Sequence, residues 1–312
     1  MSTLDLHLPK PALSPVLLGV GAGLTAVSMW ASYLTFAKAG IDAGLTPVDF
    51  LVLRFAVAGV VMAVWLLLHE PSSLAGVGWS RGTVLALLAG PIFIGVGIGG
   101  YVFAPLAHGA VIQPATITLA SMVAGAWLLN ERLSRDKLQG ALLILVGLAI
   151  IAATQPLTGG ARAWIGDLMF VAAGLLWAAF TILIKRWAVP GMAATAAVSV
   201  LSALVVVPGV ALFGTFDRIL ALPASVLATQ LIVQGLMSGV LAILAYTAAV
   251  RFLGAGRAAL FPALVPAATL ALGIPVAQEI PTGWQLLGAG LASVGLLTAM
   301  GLLHVHRAKH NP

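Results

Sequence analysis

The sequence predicts an all-α membrane protein, with ten transmembrane helices built as two inverted five-helix repeats. Three observations carry this expectation. The 312-residue chain is 61% hydrophobic and only 8% charged, whereas a soluble domain carries roughly 25% charged residues. Its apolar runs are continuous and reach the roughly 20 residues a helix needs to cross a bilayer, without the alternation of barrel strands. One pattern of anchors also occurs twice, about 147 residues apart. Trp30-Ala31-x-Tyr33-x4-Lys38 returns as Trp177-Ala178-x-Phe180-x4-Lys185, and Pro114-x16-Glu131-x8-Gly140 returns as Pro262-x16-Glu279-x8-Gly288. An odd number of crossings per copy turns the second copy upside down relative to the first. That is the inverted-repeat plan of many secondary transporters, with the bound molecule near the midplane between the halves.

The ten expected spans cover residues 16–37, 47–69, 82–104, 109–130, 137–155, 164–186, 193–214, 225–250, 257–278 and 284–304, joined by connections too short for an extramembrane domain. Basic residues are sorted by side. With the N-terminus inside, 11 fall on the inner side, 3 (Lys38, Arg162, Arg218) fall on the outer side, and Arg54 lies within a span. Basic loops stay cytoplasmic, so both termini are expected in the cytoplasm. The net charge of +6 is therefore a topology signal and implies no nucleic-acid partner. With 0 cysteines the chain offers no disulfide, Fe–S ligand or thiol nucleophile. The first fifteen residues lack a cleavable signal pattern, so the first apolar run is expected to stay as helix 1.

Helix 1 sets Thr25, Ser28, Ser32 and Thr35 on one face, where hydroxyls serve either interhelical packing or a cavity wall. Helix 3 concentrates Gly90, Gly95, Gly97, Gly99 and Gly100 after the start of the run, beside Pro91; such density permits close backbone approach and a bend. Tyr101 closes it, as an interfacial anchor or a substrate contact. Helices 4 and 9 carry matched prolines, Pro114 and Pro262, each of which frees a carbonyl that protein or water must satisfy. That makes them candidates for a broken pair. Helix 8 aligns Gln230, Gln234 and Ser238, a face too polar for lipid. Arg54, the charge inside a span, is a functional hypothesis by default: it either binds a substrate carboxylate or, its stem snorkelling outward, serves as an anchor or pairs near Asp49. His108 falls in a short turn and reads as solvated. No Asp or Glu sits mid-span, no nucleotide loop or catalytic cluster occurs, and no filter motif suggests a channel.

Ten helices, the doubled motif and Glu131-Arg132-Leu133 at the end of helix 4 resemble the drug/metabolite transporter superfamily. More narrowly, residues 16–155 and 164–304 look like two EamA domains, covering nearly the whole chain. Glu279-Ile280-Pro281 departs from the usual Glu-Arg/Lys pattern at the second copy. The resemblance implies efflux of small metabolites across a bacterial inner membrane, and general similarity in helices 1–4 is greatest to exporters of aromatic and other neutral amino acids. On that reading a monomer, needing lipid but no cofactor, binds a small-molecule substrate through Ser28, Ser32, Tyr101, Thr116, Trp177, Gln234 and Ser238. The alternatives are a multidrug or quaternary-cation exporter and a lipid flippase or auxiliary membrane subunit. No enzyme chemistry is implied.

Overall fold

A computed structural model describes residues 15–128, 133–153, 160–214, 216–253 and 261–299. Among these residues every regular element is helical. The helices are α1 (Pro15–Asp42), α2 (Pro47–Leu67), α3 (Trp79–Ala89), α4 (Pro91–Gly99), α5 (Leu106–Leu128), α6 (Arg135–Ala153), α7 (Ala163–Trp187) and α8 (Gly191–Phe213). α9 (Ala224–Gln230) continues through a π-helical stretch, Leu231–Leu241, into α10 (Ala242–Leu253); α11 (Val265–Val276) and α12 (Gly283–Ala299) follow.

Seven helical stretches among the described residues are long and apolar enough to cross a membrane: Pro15–Asp42, Pro47–Leu67, Trp79–Val102, Leu106–Trp127, Ala163–Ile184, Gly191–Phe213 and Ala224–Leu253. The ten expected spans thus reduce to seven by this measure. α6, which opens on Arg135, Asp136 and Lys137, is not among them, and α11 and α12, of 12 and 17 residues, are apolar but shorter. The outward faces are apolar. Phe213 is 92% exposed and Trp127 83%, a surface that water would penalise and lipid would not.

Helix ends follow local chemistry. At the start of α2 the Thr46 hydroxyl accepts from the Asp49 N–H, while the Asp49 carboxylate accepts from the Thr46 N–H at 2.7 Å. This reciprocal capping satisfies two orphan donors. Asp49, 3% exposed at its side chain, also accepts from Arg218 Nε at 3.1 Å.

The packing is exchanged onto itself when the two halves are swapped. α1 packs on α10, the π segment and α11; its repeat equivalent α7 packs on α3, α4 and α5. α2 meets α8, α5 meets α11, and α6 meets α12, each pair joining equivalent helices. The α6–α12 seam also reveals direction. Gly140 abuts Gly295 and Gly147 abuts Gly288, so closely that a Cβ on any of the four would strike the facing backbone. The numbers rise along one helix as they fall along the other, so these equivalent helices run antiparallel.

The two matched prolines behave differently: Pro262 opens a short 3₁₀ turn, Pro262–Leu264, that leads into α11. α5 runs unbroken through Pro114. The break lies instead between α3 and α4, where Gly90 leaves the helical region (φ −95°, ψ −132°) and Pro91 opens the next helix, a first-turn position where its missing N–H costs nothing. In the second half the Leu231–Leu241 stretch winds as a π-helix, its register shown by the Ala242 N–H donating to Met237 O. Position 90 plus the repeat offset falls inside that stretch, so both copies distort the same element at the same level.

Candidate functional site

A cavity of about 410 Å³ lies where α1, the α4–α5 connection and the α11–α12 connection converge. Its walls carry Lys38, Asp42, Tyr101, Phe103, Glu279 and Gln285. Lys38 is held by two acids. Its Nζ lies 3.1 Å from Glu279 Oε1 and donates to Asp42 Oδ1 one turn further along α1. Glu279 also accepts the Leu106 N–H at 2.8 Å, at the start of α5, where the helix dipole favours a carboxylate. One residue from each half therefore meets across the cavity, and both are repeat anchors.

Deeper in the same region is a second polar group. Arg54, half-buried on α2, donates to the Ser238 hydroxyl and, at 3.4 Å, to the Gln234 backbone carbonyl of the π segment. Its guanidinium carbon sits 5.4 Å from the Tyr33 ring centroid, in cation–π range. It does not pair with Asp49, which is taken by Arg218. Gln234 donates to Tyr33 O and to Gln230 Oε1, both at 3.3 Å, while its own side-chain oxygen is buried without a partner. The Tyr101 hydroxyl is likewise buried and unpartnered. Tyr101 and Glu279 line the same cavity.

The seven residues singled out from sequence are distributed over the bundle. Tyr101 lines the cavity, its ring 4.9 Å from Phe170. Gln234 and Ser238 belong to the Arg54 group. Trp177 is packed between Phe93 and Phe180, at 4.9 and 5.1 Å between ring centroids. The Thr116 hydroxyl donates to Ile112 O, and its Cβ packs over Gly174 of α7, where any side chain would collide with it. Ser28 is exposed and Ser32 half-buried on α1, whose neighbours Thr25 and Thr35 bond back to Gly21 O and Ala31 O.

Two residues depart from the sequence reading, and a third gains weight. His108 is fully buried inside α5, its Nδ1 2.8 Å from Asp167 Oδ1 on α7, because the helix begins two residues before it. Arg54 faces the bundle instead of snorkelling. Lys38 stands well inside α1, which continues to Asp42. Glu131 and Arg132 lie outside the described residues. Among the described residues no three potential metal-ligating side chains converge.

The EamA-like transporter family model matches residues 17–153 and again 164–301. The chain belongs to the EamA-like transporter family. Its members move small molecules across membranes, so this is a multi-pass membrane transporter of small metabolites. One solved crystal structure, of a chain described only as a protein, is similar at 21% identity, with a TM-score of 0.60 over 95% of this chain and 98% of that one. That likeness speaks for the fold alone. No curated protein matches the sequence.

Proposed function

We propose that this EamA-like transporter exports small neutral amino acids across a bacterial inner membrane by alternating access. The observation that carries the reading is the cavity between the halves, about 410 Å³ and walled by one ammonium, two carboxylates and a phenol. It lies within the roughly 300–1,000 Å³ of small-molecule sites. Both charges of a zwitterion find partners there, Lys38 for the carboxylate and Asp42 or Glu279 for the ammonium. Tyr101 offers an aromatic face to an apolar side chain.

In this reading residues 16–155 and 164–304 are inverted five-helix units completing ten spans, a plan supported by the antiparallel run of the equivalent α6 and α12. Both termini are cytoplasmic, so the cavity opens outward. The halves rock about the paired distortions at Gly90 and the π segment, and the Lys38–Glu279 tie must part as they do. Ser28, Ser32, Thr116 and Trp177 then act on the path as the bundle rearranges, while Tyr101, Gln234 and Ser238 touch the substrate. The protein works as a monomer and needs no cofactor.

Asp42 and Glu279 outnumber Lys38, which makes an organic-cation exporter the second reading. Reconstitution into liposomes decides between them. Labelled leucine and phenylalanine should equilibrate faster than in empty vesicles at equal pH on both sides, and a quaternary ammonium should not. The reverse pattern overturns the amino-acid reading.

A further inference from the structure

We propose that Arg54 is an intramembrane anion anchor that receives the substrate's carboxylate beyond the outer cavity; the assignment rests on the transport reading above. A guanidinium stays charged at any physiological pH, and a charge within a membrane span is expensive unless it is matched. Arg54 sits two turns into α2, about 10 Å along the axis from Pro47 at 1.5 Å per residue. Yet among the described residues it has no carboxylate partner. Its contacts are a hydroxyl, a backbone carbonyl and an aromatic face. Lys38, by contrast, is held by two carboxylates. The unmatched positive charge of this region is therefore Arg54.

A planar guanidinium has five donors in a fork suited to a carboxylate, and the bonds to Ser238 and Gln234 both involve Nη1, leaving donors at Nη2. Independent observations point to a ligand at the same place. The Tyr101 hydroxyl, 3% exposed, and the Gln234 side-chain oxygen, 0% exposed, are buried polar atoms without partners, a rare and costly condition. One can donate to a carboxylate and the other can accept from an ammonium. Tyr101 lines the outer cavity, and Tyr33 carries the guanidinium on its ring. The π segment supplies the floor: its wider turn turns the Gln234 carbonyl and the Ser238 hydroxyl toward Arg54, and such segments recur at functional sites.

The test uses the purified full chain in detergent and intrinsic tryptophan fluorescence or thermal shift. Four probes share one side chain: phenylalanine, phenylalaninamide, phenethylamine and 3-phenylpropionate. Wild type should bind the two carboxylates at least about tenfold more tightly than the amide and the amine, tenfold corresponding to one good charge-assisted contact. Arg54→Gln should erase that preference, and Arg54→Lys should keep part of it. Unchanged discrimination in a folded Arg54→Gln, or no preference in wild type, overturns the proposal. Because 3-phenylpropionate carries only the anion, its binding tests Arg54 even if phenylalanine is not transported. Carboxylate preference without phenylalanine uptake in liposomes would refute the amino-acid reading and leave the anchor standing.

Discussion

Removing the charge of Glu279 should loosen the tie between the two halves at the cavity. At 3.1 Å the attraction to Lys38 is about 5 kcal/mol for an effective dielectric near 20. The side chains are 11% and 28% exposed, so desolvation of both groups offsets much of that figure. Asp42 remains to hold Lys38 when Glu279 is neutralised. A net loss of roughly 1–3 kcal/mol is the reasonable expectation for a partly buried pair. Glu279→Gln is the clean perturbation, since an amide oxygen still accepts the Leu106 N–H. If the tie exists in this conformation and parts in the other, a loss of 1.4 kcal/mol shifts their ratio about tenfold. The absence of native cysteine provides the assay: a single Phe103→Cys on the cavity wall, labelled with a maleimide in liposomes. Glu279→Gln and Lys38→Met should each change the labelling rate several-fold, and the double variant should add little to either. Asp42→Asn, at a site 46% exposed, should do less. Fully additive effects of the two single variants, or labelling identical to that of the parent, would refute the reasoning.

Three further outcomes follow from the packing and the charge pattern. Gly147→Leu forces a side chain into the backbone of Gly288 and should destabilise by at least roughly 1–3 kcal/mol, read as a lower melting temperature in detergent, whereas the same change at Gly290, where a Cβ meets nothing, should be mild. His108→Ala removes the buried partner of Asp167 and should cost roughly 1–3 kcal/mol; if it left stability untouched while abolishing uptake, His108 would have a transport role instead of a structural one. A cysteine at Ala161, between α6 and α7, should react with an impermeant maleimide from the outside only, as expected from basic-residue asymmetry.

The repeat was legible because its anchors are residue types that stand out in an apolar background, and those anchors lead to the architecture. Gly140 and Gly288 are one such pair, and the contact each makes with the other half accounts for the spacing. What the anchors do to one another was not legible. Lys38 and Glu279 each stand in the motif of a different copy, and nothing in either motif says that the first copy's lysine meets the second copy's glutamate. Only the exchange of packing between halves brings them together. His108 departs for a simpler reason, since a helix start at Leu106, three residues earlier than expected, turns a solvated turn residue into a buried one.

The polar stripes illustrate a more general limit. Periodicity shows that Thr25, Ser28, Ser32 and Thr35 share a face, but a threonine in a membrane helix can satisfy itself on the carbonyl four residues back, as Thr25, Thr35, Thr116 and Thr118 all do. A stripe so spent needs no cavity. Gln234 and Arg54 also reach other helices, Gln234 to Tyr33 O and Arg54 to Ser238 and the Gln234 carbonyl, beyond the local bond from Gln234 to Gln230. The unmatched groups are therefore better guides to a ligand than the hydroxyls. The prolines differ between the copies. Pro114 stays within a continuous helix, whereas Pro262 opens a 3₁₀ turn. Gly90 and the π segment instead depart from the regular ladder; the glycine-rich run beside Pro91 announces the first, and no single residue type announces the second. Their shared repeat position places the distortion of each half beside a polar group that lacks an intramolecular partner: buried Ser202 against Gly90, and the Gln234 side-chain oxygen within the π segment. Backbone irregularity and unmatched polarity coincide in both copies, which is where a bundle that must change shape around a polar solute would need them.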